Sequence, residues 1–138
     1  MTQHTPRSTA ETVQEFFNRF GVGDLPGLPE LFAEDVDVVV AGAPLVPWTG
    51  HLVGRQEIEG YFQRFLEAVQ TQRFDVEKIA VDGEDAIVLG EFAHKVTSTG
   101  KPFTGPFAIR ITVRDGLIRR YQTFEDSYAA AIAFSEDS

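Results

Sequence analysis

Between Phe103 and Asp126, Phe107, Ile109, Ile111 and Val113 alternate with Ala108, Arg110, Thr112 and Arg114, the two-residue period of a strand with one buried face. The chain turns at Arg114-Asp115-Gly116 and returns through Leu117 to Glu125 as an antiparallel partner. The turn decides which face of the return strand points inward. A two-residue loop at Asp115-Gly116 sets Val113 opposite Ile118 and turns Ile118, Arg120, Gln122, Phe124 and Asp126 toward the apolar side. A three-residue loop with a left-handed Gly116 sets Val113 opposite Leu117 and turns Leu117, Arg119, Tyr121, Thr123 and Glu125 inward. The second register is preferred, because it gathers a Tyr, a Thr and a Glu on a face that is otherwise apolar; a slip of one residue exchanges every candidate for chemistry.

Helical periodicity dominates the first half. Ser8-Thr9-Ala10-Glu11 has the spacing of a capping box, and Val13, Phe16, Phe17 and Phe20 follow on one face up to Gly21. Asp24 can cap a short second helix whose stripe is Leu28, Leu31 and Phe32, with Pro26 and Pro29 in its opening turn. Val36 to Ala41 reads as a strand, and Gly42 to Gly54, with Pro44, Pro47, Trp48 and His51, as a loop. Arg55 to Gln70 carries the strongest helical pattern, with Ile58, Tyr61, Phe62, Phe65, Leu66 and Val69 on one stripe. Strands follow at Phe74 to Val81 and Ala86 to Thr97, separated by the turn Asp82-Gly83-Glu84-Asp85, and Thr99-Gly100-Lys101-Pro102 leads into the hairpin. Tyr128 to Phe134 can add a helical turn, and Ser135 to Ser138 is expected to be disordered.

This order, α-α-β-α-β-β-β-β, predicts an α+β fold: a cone-shaped, strongly curved mixed or antiparallel sheet packed on three N-terminal helices. The open end of such a cone is a natural cavity for a small molecule. One domain is expected over residues 1–138, with an ordered core at about 8–134.

Charge and composition narrow the function. A net charge of -9 opposes binding to a polyanion, so no nucleic-acid partner is expected. Arg110, Arg114, Arg119 and Arg120 cluster on the hairpin and read as a solvated or dimer-facing surface. The absence of cysteine excludes disulfides and thiolate chemistry. The opening MTQHTPRSTAETVQEFF lacks the pattern of a signal peptide and no stretch is apolar enough to span a membrane, so a cytoplasmic protein with no membrane partner is expected. Without a glycine-rich phosphate loop, a Gly-x-Ser-x-Gly elbow or metal-ligand spacing, neither a cofactor nor a metal is expected.

The runs GDLPGLPELFAEDVDVVV, PWTGHLVGRQEIEGYFQRF and FAIRITVRDGLIRRYQTFED resemble the nuclear transport factor 2-like superfamily, and within it the SnoaL-like and ketosteroid-isomerase-like proteins. The resemblance spans about Thr9 to Phe134 and implies one SnoaL-like domain. Since the fold hosts many activities, it implies either a cofactor-free isomerase, cyclase or dehydratase working by proton transfer, or a non-catalytic ligand-binding or dimerisation module. Whether the chain is an enzyme stays open. The steroid isomerases use a base carboxylate, a Tyr and a protonated Asp; carried over by position, these fall on Val40 or a neighbour, Phe16, and Ile109 or Ala108, none of which has the chemistry. The Arg, Asp and Asp of the limonene-epoxide-hydrolase-like members fall on Gly90, Phe92 and Thr123. The acid/base Asp of the SnoaL-like cyclases has Asp126 as its nearest match.

The catalytic candidates are therefore His94, Tyr121, Glu125 and Asp126. His94 shares a strand phase with Phe92 and Val96, and an imidazole titrating near its ordinary value of about 6.5 can move a proton at neutral pH; it can equally be a structural histidine. Glu125 or Asp126 would have its pKa raised in an apolar cavity, as suits a general acid or base; Asp126 can equally cap the Tyr128 segment. Tyr121 can donate to a developing oxyanion. Phe16, Tyr61, Phe65, Phe92, Ile109 and Thr123 are expected to line the cavity, with Trp48 and His51 at its mouth. The ligand would be a small, mostly apolar molecule. Phe124 beside Arg110, Thr112 and Gln122 on the other sheet face predicts a homodimer.

Overall fold

The computed structural model describes residues 7–24, 26–40, 50–125, 132 and 133, with only the backbone of Glu125. Helix α1 (Thr9–Gly21) begins at the expected capping box: the Glu11 amide donates to Ser8 Oγ at 3.1 Å, and the Ser8 amide donates to the Glu11 carboxylate at 3.0 Å. Hydrogen bonding by the Ser8 amide first, and by the Ser8 side chain after it, holds the Glu11 carboxyl below its ordinary pKa. Val13 and Phe16 are buried, and Phe17 and Phe20 pack beside them.

The second helix is a correction. Leu28 and Leu31 are buried as expected, but only Pro29–Leu31 form a 3-10 turn, and Phe32 already belongs to a strand. Pro26 and Pro29 remove two of the few amide donors that so short a helix has, and the Asp24 side chain accepts the Gly27 amide at 3.2 Å as a local turn instead.

Strand β1 (Phe32–Val40) begins earlier than expected, and β2 (Gly50–Val53) arises in what reads as loop. Helix α2 (Arg55–Ala68) follows, then β3 (Val69–Asp82), β4 (Asp85–Val96), β5 (Pro102–Arg114) and β6 (Leu117–Glu125). The Arg55 guanidinium donates to the Phe32 carbonyl at 3.1 and 2.7 Å, tying the start of α2 to the start of β1. The six strands make one mixed sheet in the order β2-β1-β6-β5-β4-β3, with β1 and β6 parallel and the other pairs antiparallel. The last strand thus inserts beside β1, and the helices cover the inner sheet face. Shifts in the β3–β4 ladder at 71–73 and 76–78 mark irregular points that bend the sheet around them. Among the described residues the architecture is α+β with two long α-helices, α1 and α2, rather than three. No described helix is long and apolar enough to cross a membrane.

The hairpin resolves the register by an unexpected route. Asp115 and Gly116 both have positive φ (54° and 75°), Arg114 pairs with Leu117 and Val113 with Ile118, so the loop has two residues. The ladder then shifts: Thr112 pairs with Arg120, leaving Arg119 as an extra residue. Beyond that bulge Ile111 faces Tyr121 and Ile109 faces Thr123. Ile118, Tyr121 and Thr123 are all buried, so the two-residue loop coexists with the inward Tyr and Thr of the other register.

The arginine cluster is largely neutralised. Arg114 makes two bonds to Glu84 at 3.1 and 3.2 Å, Arg110 lies 3.7 Å from Asp85 and Arg119 3.7 Å from Asp35. Of the tail segment expected from Tyr128 to Phe134, only residues 132 and 133 are described, both helical, with Thr99 Oγ1 donating to the Ala133 carbonyl; the tail 135–138 lies outside the described residues.

Candidate functional site

The inner faces of α1, α2 and the sheet converge on a cavity of about 50 Å³. Helix α1 contributes Phe16, Phe17 and Phe20, and α2 contributes Tyr61, Phe62 and Phe65; Phe74, Phe92, His94, Phe107, Ile109, Tyr121, Thr123 and, 45% exposed, Phe124 come from β3 to β6. Helical spacing aims the first six rings at the sheet, and the two-residue strand period aims the rest except Phe124 back at them. The result is nearly all aromatic: Phe16 packs on Phe62 and Tyr121 with centroids 6.1 and 5.6 Å apart, and Phe74 stacks on Phe107 at 4.7 Å. Room remains for a few waters.

His94 is 3% exposed. Its ring stacks on Phe92 at 4.5 Å and meets Phe65 and Phe103 at 5.3 and 5.4 Å, while Nδ1 bonds Thr71 Oγ1 at 3.1 Å. Among the described residues Nε2 has no hydrogen-bond partner. Burial pushes the imidazole pKa down to about 4, because three rings replace the water that would stabilise its charge. His94 is therefore neutral at pH 7.

Thr123 is 9% exposed, and its Oγ1 is buried with no hydrogen-bond partner among the described residues. An unsatisfied buried hydroxyl costs about 1–3 kcal/mol, and the residue that carries it belongs to the cavity wall. Tyr121 packs on Phe16 and on Phe32, at 5.6 and 6.1 Å. His94 and Tyr121 have no ring in common among their described ring neighbours. Thr123 lies opposite Ile109 and, across β5, Val88; His94 is six residues beyond Val88 on β4, about 20 Å of strand contour. His94 and Thr123 thus occupy separate parts of the wall, whereas Tyr121 and Thr123 are neighbours on one face of β6.

Of the residues expected from the sequence, His94, Tyr121, Phe16, Tyr61, Phe65, Phe92, Ile109 and Thr123 surround this cavity. His51 does not: it lies on β2, its imidazole bonds Asp37 and stays 60% exposed. Glu125 ends β6 opposite Phe107, with its side chain outside the described residues. Asp126 and Trp48 also lie outside the described residues. Val40 and Phe16, where the steroid isomerases carry acidic and phenolic groups, are buried hydrocarbon. Gly90, the position of an Arg in the epoxide-hydrolase-like members, is closed off: a Cβ there would collide with the Asp75 carbonyl oxygen and come within 2.6 Å of the Phe107 ring. Among the described residues no cluster of three or more His, Asp or Glu side chains could hold a metal.

Sequence reasoning missed Thr71 as the partner of His94, and Phe17, Phe20, Phe62, Phe74 and Phe107 as cavity walls. The 12 phenylalanines in 138 residues were the available signal, since so many rings exceed what one helix stripe accounts for.

A family model described as a SnoaL-like domain matches residues 13–121. Among solved structures, an NTF2-like protein from Burkholderia xenovorans has a TM-score of 0.83 at 27% identity, covering 92% of this chain and 95% of its own. A Bacillus subtilis protein provisionally named an isomerase has a TM-score of 0.78 at 22% identity, covering 91% of each chain. TerC, co-crystallized with polyporic acid, has a TM-score of 0.78 at 20% identity, covering 91% of this chain and 97% of its own. No curated protein matches the chain.

Proposed function

The chain belongs to the SnoaL-like domain family, and from that premise we propose that it binds a small, mostly apolar molecule bearing a carbonyl or hydroxyl oxygen in the phenylalanine-lined cavity. One observation carries this reading: Thr123, a residue of the aromatic cavity wall, has a buried Oγ1 with no hydrogen-bond partner among the described residues. A well-packed core avoids such a group, whereas a ligand oxygen would satisfy it. That TerC, of similar fold, was co-crystallized with a small molecule supports the reading.

Thr123→Val tests it, because the substitution keeps the shape and removes the hydroxyl. The variant should be about 1 kcal/mol more stable without ligand and should bind prodan, an apolar naphthyl ketone whose emission reports its surroundings, roughly fivefold more weakly. Unchanged or tighter binding would leave the hydroxyl without a ligand to meet and sink the proposal.

Proton transfer is the second reading, favoured by the imidazole in the same cavity and by the provisional isomerase among the similar structures. The binding reading is stronger on two counts. A base with a pKa of about 4 is weak at neutral pH, and the described polar group bonded to it, the Thr71 hydroxyl, is neutral and does nothing to strengthen it. The opposite sheet face favours a homodimer: Leu89, Ala108 and Phe124 form one cross-strand row beside Ile87, Arg110 and Gln122, and its large apolar members are two-fifths or more exposed.

A further inference from the structure

Outside the cavity, a groove of about 600 Å³ runs between the C-terminal ends of α1 and α2 and the first half of β3. Phe17, Phe20, Phe65 and Phe74 line both spaces. They form one connected partition: Phe74 meets Phe17 at 6.1 Å and Phe20 at 5.0 Å, and Phe20 meets Phe65 at 6.5 Å. All four are only partly buried, unlike Phe16 and Phe92 behind them, as expected for a wall with a space on each side. Thr71 belongs to the groove, yet its hydroxyl bonds His94, which belongs to the cavity.

We infer that the groove is the entrance and outer compartment of a single binding site, divided from the inner cavity by the Phe17–Phe74–Phe20–Phe65 partition, and that the site takes an elongated apolar molecule. The inference rests on the binding function proposed above and adds the route and the ligand shape. The inner cavity, at about 50 Å³, is too small for most ligands, whereas typical ligand pockets measure about 300–1,000 Å³, a range in which the adjoining groove supplies nearly all the room. The polar ends fit the same picture. Thr123 Oγ1 waits at the inner end, while Thr71, Gln72 and Arg73 edge the groove, with Arg73 already engaged by Asp75 and Glu91 at 3.2 and 3.5 Å. The ligand is therefore apolar along its length, with its hydrogen-bonding oxygen leading inward. Half-buried rings with one open side can change rotamer at little packing cost, so the partition opens without unfolding the cone.

Stopped-flow prodan fluorescence with two variants tests this. Gly21, the last residue of α1, lines the groove, and a Cβ there would meet nothing within 4 Å. Gly21→Phe thus obstructs the groove without disturbing the core and should slow association on the order of tenfold. Phe74→Leu thins the partition and should speed both association and dissociation. If Phe74→Leu fails to fold, Gly21→Phe alone decides. Prodan bound by the wild type with association unaltered in Gly21→Phe would overturn the groove as entrance while leaving the binding function standing. No prodan binding by the wild type would overturn both.

Discussion

The neutral His94 makes a quantitative demand on the acid stability of the protein. In the unfolded chain its imidazole titrates at about 6.5; in the fold, burial among Phe65, Phe92 and Phe103 holds it at about 4. Between those values the unfolded state binds a proton that the folded state refuses, so stability falls as pH falls. The loss begins near pH 6.5 and is complete below about pH 4; above pH 6.5 both states are neutral and the group has no effect. The gap corresponds to about 3 kcal/mol, a large fraction of the stability of a domain of this size. Carboxyls held low in the fold, such as Glu11 and Glu84, also cost stability in acid, so the wild type alone is not diagnostic. His94→Gln separates the terms, since it keeps a hydrogen-bonding side chain beside Thr71 and cannot titrate. Urea denaturation of both proteins from about pH 7.5 to about pH 4 gives the difference in unfolding free energy, in which the carboxyl contributions cancel. That difference should be flat above pH 6.5 and shift by about 3 kcal/mol against the wild type by pH 4. A flat difference throughout would mean that water or a counter-charge reaches the imidazole, and would refute the aromatic burial described above.

Two further outcomes can be checked directly. Gly90→Ala should destabilise the protein by more than about 3 kcal/mol in denaturant titration, because the added methyl meets the Asp75 carbonyl and the Phe107 ring and neither backbone nor a stacked ring yields easily; a loss below about 1 kcal/mol would show that β3 can move away. The dimer expected on the outer sheet face should sediment at twice the 15.3 kDa of one chain, and Phe124→Glu, which charges the exposed end of the Leu89–Ala108–Phe124 row, should return it to the monomer; a wild type that already sediments as a monomer at micromolar concentration defeats that reading.

What was legible in the sequence follows from how local each signal is. The capping box at Ser8 and Glu11 and the stripe from Ile58 to Phe65 are short-range patterns, and both helices form there. The second helix looked similar by stripe alone, but donors lost at Pro26 and Pro29 outweighed it. Strand β2 has no apolar alternation to announce it and exists because β1 offers an edge. Tyr121 and Thr123 face inward as preferred, yet the turn has two residues; the compensating bulge at Arg119 leaves no mark in the residue pattern. At the site, His94 was visible as a rare residue in a strand phase. Its chemistry was not, because desolvation comes from rings on α2, β4 and β5 and its hydrogen bond from β3. His51 was misplaced for a related reason: only the structure reveals that Asp37 on the neighbouring strand holds it.

The bulge also bears on how this segment can change length over evolutionary time. Because Thr112 already pairs with Arg120 across the extra residue, loss of Arg119 straightens the ladder while Ile111 still faces Tyr121 and Ile109 still faces Thr123. What disappears is the contact with Asp35, an exposed pair worth little. An added residue has no such outlet: taken into a regular ladder, it would turn Tyr121 and Thr123 outward and bring Gln122 inward in their place. The strand that carries the Thr123 hydroxyl is thus forgiving of shortening and unforgiving of growth, and relatives differing here by a deletion should keep the same cavity wall.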